Sequence, residues 1–358
     1  MKNKLLLSSA LLGSLVIASS SYAQTTVTGS LALSLKSLDG YNSATNATGS
    51  QRSFGRESQL NIQNKGKLNN GMDYAAGFSL EQDGGQVGDF SDENVYIDFI
   101  SGDTTFTIGT DHIQNTNRTK GVLLGVDAFD LAGGNNYSSN IAANVLAGSA
   151  PFIQSPGANS AQAMGVGITQ KTPFGSVSAF YAPTNANSGS DDNVGNISGA
   201  AATVIESDRE STFEIGFEGN LGVKGLAVHY FYNEEGRNAG ATNVRDLQGV
   251  NYGASYNMGQ ITAGFTRKET EHMTVLERKQ NEFGLAYAVS PTLTLAANYT
   301  VIDSNAASAV DAKSKSIGIG YNLGPVSIVG QMAKMENITH TAGTGDVDVA
   351  IVKVTTNF

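Results

Sequence analysis

Cysteine and tryptophan are absent from the 358 residues, and proline occurs only six times. Without cysteine there is no disulfide framework and no thiolate metal site. Basic residues are scarce, 22 Lys and Arg against 32 Asp and Glu, and the net charge of −10 excludes the basic face that nucleic-acid binding requires. Long apolar runs are missing as well. The longest, positions 5–17, covers 13 residues, whereas a membrane-spanning helix takes about 20. With 40% hydrophobic and 15% charged residues, the chain fits neither a helical membrane protein nor a charge-driven disordered one. What fills the gap is 42 Gly together with Ser, Thr and Asn. That is the composition of an all-β protein with many turns.

The first 23 residues read as a cleaved signal peptide. Lys2 and Lys4 supply the positive start, positions 5–17 the apolar core, and Ser21-Tyr22-Ala23 the small residues of a cleavage site. Removing them takes away two lysines and no acids, so the exported domain, 24–358, carries a net charge of −12. Export without cysteine suits a bacterial envelope protein.

From Thr25 onward the chain alternates with period two. Val27, Leu31, Leu33 and Leu35 share one face, while Thr26, Thr28, Ser30, Ala32, Ser34 and Lys36 share the other. The pattern returns in Tyr74/Ala76/Phe78/Leu80, Phe213/Ile215/Phe217, Leu226/Val228/Tyr230/Tyr232, Phe283/Leu285/Tyr287/Val289 and Leu293/Leu295/Ala297/Tyr299/Val301. Segments of about ten residues with one lipid-compatible and one water-compatible face are the signature of a transmembrane β-barrel. A soluble β-sandwich also alternates, but it needs no strict rhythm of short turns and long loops. Here seven connections are short (64–70, 101–103, 172–175, 220–223, 257–260, 290–292 and 322–325). Eight are longer and polar (37–53, 82–92, 111–161, 183–209, 233–246, 268–279, 303–313 and 334–346). Together they join 16 antiparallel strands. An extra hairpin hidden in 136–146 would move the count to 18, and 14 is the other neighbouring even number.

Several segments resemble the general diffusion porins of Gram-negative bacterial outer membranes. Ser58-Gln59-Leu60-Asn61-Ile62-Gln63-Asn64-Lys65-Gly66, followed by Leu68-Asn69-Asn70-Gly71 and Phe78-Ser79-Leu80-Glu81, is similar to that family's second and third strands. Glu93 to Phe99 and then Gly102 and Thr105 to Gly109 resemble its fourth and fifth. The resemblance implies that the third loop, 111–161, folds into the barrel and narrows it, with Asp111, Arg118, Lys120, Asp127 and Asp130 at the constriction. It implies a homotrimer in outer-membrane lipid, and a terminal Phe358 read by the barrel-assembly machinery. The chain departs from the family at Gln59, where Arg is common, at Asn94, where Arg or Gln is common, and at Asp111, which replaces a basic residue.

Parity assigns charges to the lumen independently of the resemblance. Glu57, Asp73, Glu81, Asp98, Asp111, Glu214, Glu218 and Glu282 have inward phase, as do Gln59, Asn94 and His229. Lys36, Lys171, Lys268 and Lys353 are the inward bases. An acid-rich lumen concentrates cations, so the expectation is a weak cation preference that fades as salt screens the wall, over a Debye length of about 10 Å at 0.1 M. A ladder of inward lysines for phosphate is absent. The acids of 82–92 are read as solvated loop charge; a divalent-cation site or a subunit contact are the other readings.

Catalytic chemistry is not expected. His112, His229, His272 and His340 lack metal-ligand spacing, and no G-x-S-x-G elbow or phosphate-cradling loop is present. His272 beside Glu269 and Glu271 is the single candidate for a rim protease or lipase, and exposed loop polarity accounts for it. No cofactor or metal is expected. The reading is a 16-stranded barrel passing small hydrophilic solutes, with a substrate-specific channel and a plugged adhesive or structural barrel as alternatives.

Overall fold

Side chains that alternate along a strand put one residue type on each face of a sheet, and a closed sheet turns those faces into an outside and an inside. A computed structural model describes residues 23–42, 47–83, 91–109, 164–182, 209–237, 247–271, 278–304, 310–337 and 346–358. It contains sixteen strands: β1 (Gln24–Asn42), β2 (Ala47–Lys67), β3 (Asp73–Asp83), β4 (Ser91–Ser101), β5 (Thr104–Gly109), β6 (Gly165–Thr172), β7 (Gly175–Ala182), β8 (Arg209–Gly219), β9 (Leu226–Arg237), β10 (Leu247–Met258), β11 (Ile261–Glu271), β12 (Arg278–Ser290), β13 (Leu293–Ser304), β14 (Ala312–Asn322), β15 (Val326–Glu336) and β16 (Val347–Asn357). Each strand pairs antiparallel with its neighbours in chain order, and β1 pairs with β16, so the sheet closes into a barrel. Among the described residues the strand count is 16, and the segment 136–146 lies outside them.

The distribution of side chains is inverted relative to a water-soluble domain. Leu33, Ile168, Leu285, Ile317, Ile319 and Met332 stand exposed on the outer face. Ser79, Asp98, Thr107, Glu214, Asn251, Gln280 and Thr300 are buried on the inner one. An exposed apolar surface running round a whole barrel is stable only against lipid.

The seven short connections share one end of the barrel with the start of β1 and the carboxy-terminal Phe358. At four of them an asparagine side chain caps the turn. The Oδ1 of Asn70, Asn220, Asn257 and Asn322 accepts the backbone N–H two residues on, at 3.1, 2.9, 3.0 and 2.8 Å. In the last three the donating N–H belongs to a glycine, and Gly222, Gly259 and Gly324 have φ of +77°, +84° and +87°. Glycine adopts that left-handed conformation without strain.

Several boundaries differ from the sequence reading; β9 runs on to Arg237 and β11 to Glu271, into stretches expected as loop. Strand β2 runs on to Lys67, so only the end of 64–70 is turn. The β1–β2 ladder extends past Ser37↔Arg52 to Asn42↔Ala47, which leaves four residues, 43–46, where a loop over 37–53 was expected. Alternation fades there because a hairpin standing above the lipid needs no apolar face.

The barrel is sealed at its carboxy terminus. The Phe358 N–H donates to the Gly29 carbonyl at 3.0 Å, and the Gly29 N–H donates to the Phe358 carbonyl at 2.8 Å. The ring lies over Gly29, where a Cβ would stand 2.6 Å from Phe358 Cζ.

Candidate functional site

Residues directly opposite each other on neighbouring strands point to the same face, so register traces rows of side chains around the inner wall. One row starts at Lys171 near the short-turn rim and passes through Ser176, Glu218, His229, Gly253, Thr266 and Glu282. It ends at Met335 and Val347, near the loop rim. The row therefore climbs the wall as it goes round, the stagger that a tilted barrel demands.

Twelve of the expected pore residues occupy inner-face positions in this register: Lys36, Glu57, Gln59, Asp73, Asp98, Lys171, Glu214, Glu218, His229, Lys268, Glu282 and Lys353. Asn94 is on β4, with its side chain outside the described set. Asp111, Arg118, Lys120, Asp127 and Asp130 lie outside the described residues, as do His112, His272, His340 and Asp89; Asp83 and Asp92 are on β3 and β4, with their side chains outside the described set.

Six of the inner charges are held in three ion pairs. Lys67 Nζ meets Asp73 Oδ1 at 2.6 Å, and Lys353 Nζ meets Glu57 Oε2 at 3.4 Å across the β16–β1–β2 seam. Lys268 Nζ donates to Glu282 Oε1 at 3.0 Å with both side chains buried, 9% and 3% exposed, and Gln280 Nε2 donates to the same carboxylate oxygen. Thr107 Oγ1 donates to Asp98 Oδ1 at 2.6 Å. Removal from water strengthens the attraction in the Lys268–Glu282 pair and makes either member costly without the other.

Sequence parity missed two inner bases, Lys65 and Lys67. Both continue the odd-numbered face of β2, but they fell in a stretch read as turn. With them the described wall carries six lysines, against seven of the eight expected acids; the eighth, Asp111, lies outside the described residues. Parity also missed that the inner face is not uniformly polar. Near the loop rim Ile302, Met335, Val347 and Val349 point inward and are buried. Lower down, Phe180 and Phe231 lie against the wall over Gly165 and Gly216, where a Cβ would meet their rings at 2.3 and 2.4 Å. Isolated inward aromatics facing glycine on the next strand are the signal that could have found the latter.

On the wall of β8 to β11, His229 stacks on Phe231 (centroids 5.6 Å apart, planes at 18°) and its Nε2 shares a 3.1 Å hydrogen bond with Asn251 Oδ1. Among the described residues no group of three or more His, Cys, Asp or Glu could hold a metal ion.

The arrangement as a whole is polar inside and apolar outside. A family model described as Gram-negative porin matches residues 8–340. Among solved structures, an anion-selective porin from Comamonas acidovorans is 13% identical with a TM-score of 0.67, covering 94% of this chain and 100% of that one. A variant of Rh. blastica porin is 15% identical with a TM-score of 0.61 at the same coverage. A loop L8 deletion mutant of OmpT, an outer membrane protein of Vibrio cholerae, is 13% identical with a TM-score of 0.62, covering 94% of this chain and 99% of that one. No curated protein sequence matches the chain.

Proposed function

Since the chain belongs to the Gram-negative porin family, an outer-membrane channel in kind, we propose that it passes small hydrophilic solutes and ions by passive diffusion with a weak preference for cations. The observation that carries this reading is the closed 16-strand barrel with a lipid-compatible outside and a charged, hydroxyl-rich inside. A wall of this kind replaces part of a solute's hydration while leaving the rest to water, so binding stays weak enough for exit.

Selectivity follows from which charges are neutralised nearby. Glu57, Asp73 and Glu282 each have a lysine within ion-pair distance on the same wall. Counted over the described inner face, Glu57, Asp73, Glu81, Asp98, Glu214, Glu218 and Glu282 stand against Lys36, Lys65, Lys67, Lys171, Lys268 and Lys353. An excess this small gives a weak, salt-screened preference. The proposal includes narrowing by the 111–161 segment with Asp111, Arg118, Lys120, Asp127 and Asp130 at the constriction. It also includes cleavage after Ala23, assembly through Phe358 and a homotrimer.

Purified protein lacking residues 1–23, inserted into a planar bilayer, tests this. Open steps in groups of three, with a reversal potential of cation sign in a KCl gradient that shrinks as the salt is raised, are the expected result. Anion sign would remove the cation preference and leave the channel. Folded protein that never conducts would overturn the channel reading.

A further inference from the structure

The inner wall at the short-turn end holds a cavity of about 450 Å³, inside the range of roughly 300–1,000 Å³ typical of small-molecule sites. Its inward-facing lining brings together Glu218, His229, Ser255 and Thr266 from four consecutive strands, β8 to β11. Register places Glu218 opposite His229, and Gly253 between His229 and Thr266. The glycine is what keeps the site open. A Cβ there would stand 2.7 Å from both His229 Cε1 and Thr266 Oγ1.

Two observations mark this cavity. Thr266 is fully buried, 0% exposed, yet its Oγ1 has no hydrogen-bond partner. A buried hydroxyl left in that state costs about 1–3 kcal/mol, which a ligand hydroxyl or N–H reaching into the cavity would recover. Next to it the imidazole of His229 is held in place, stacked on Phe231 and bonded to Asn251.

From these we infer a solute-binding subsite at the channel mouth, selective for a small solute carrying both an ammonium group and hydroxyls, as an amino sugar does. The lining contains one carboxylate, one imidazole and hydroxyls, but no lysine or arginine. Anions therefore find no cationic partner, while an ammonium group finds Glu218 and neighbouring hydroxyls find Ser255 and Thr266. The exposed position of Glu218 keeps the attraction weak and the exchange fast, as a conducting channel requires. The inference rests on the lumen being water-filled, and so on the channel reading.

The test uses glucosamine as the probe, with glucose and glucuronate as size-matched neutral and anionic controls. Saturation-transfer NMR on protein folded in detergent reads binding without requiring conduction, and bilayer recordings read the effect on current. Saturable glucosamine binding is expected, with a dissociation constant on the order of millimolar and with both controls weaker. Glu218→Gln should weaken it about tenfold, and Thr266→Val about threefold or more. The valine removes the unpartnered hydroxyl at nearly constant shape, so a purely structural role predicts unchanged or higher stability and unchanged glucosamine binding. Loss of affinity without loss of stability supports the subsite. Absence of saturable binding, equal binding of the three sugars, or indifference to both substitutions would overturn it. Folded protein that binds glucosamine but never conducts would instead fail the channel reading and leave the subsite standing.

Discussion

Lys268 and Glu282 show how individual residues on this wall depend on one another. The pair is almost fully withdrawn from solvent, and Gln280 donates to the same oxygen. Replacing Lys268 with Met leaves the carboxylate buried without its counter-charge, an expected loss of about 3 kcal/mol. Adding Glu282→Gln should return most of that loss. Heat-modifiable gel mobility or urea unfolding of the two variants checks the order. The identity of each partner was legible in the sequence as inward phase, but the pairing was not, because the two residues meet through the β11–β12 register, across the 268–279 stretch read as loop. The same holds for Lys353 and Glu57, which lie at opposite ends of the chain and meet only when the barrel closes.

At the scale of single elements, the turns carry most of the local code. Gly259 has φ +84° with open space where a Cβ would sit, so Gly259→Ala should cost only the left-handed strain, about 1 kcal/mol. Gly219 is the opposite case. A Cβ there would lie 2.1 Å from the Phe174 carbonyl oxygen, and Gly219→Ala must move backbone, at a cost of about 2 kcal/mol or more. Comparing the denaturation midpoints of the two variants separates conformational strain from steric conflict. Strand positions in mid-membrane were readable because lipid forces strict alternation. Those near the rims were not, as β2 shows: its last residues, Lys65 and Lys67, have polar neighbours on both faces, and periodicity has nothing to report there.

At the scale of the whole molecule, closure decides both assembly and selectivity. The ladder between β1 and β16 ends in the two hydrogen bonds between Gly29 and Phe358. Deleting Phe358 removes both and uncovers the seam, so folded barrel in the outer membrane should fall several-fold, read as heat-modifiable protein per total protein. Selectivity responds to the ion pair beside that seam. Lys353→Met should leave Glu57 uncompensated and move the reversal potential further toward cations, whereas Glu57→Gln should free Lys353 and move it toward chloride. Movement of both variants in the same direction would contradict the pairing of charges across the seam.

The sequence by itself determined the class of fold, a count of 16 strands with 14 and 18 left open, and the face on which most side chains lie. These follow from short-range physics: period-two alternation against lipid, and asparagine with glycine at turns. It also supplied the family resemblance in β2 to β5. Only the tertiary structure decided which charges neutralise one another, where the inner wall turns apolar, and that Glu218, His229 and Thr266 share a cavity around Gly253. Those facts depend on the stagger between strands and on the closure of the sheet. Both bring residues far apart in the chain into contact, and neither leaves a trace in local periodicity.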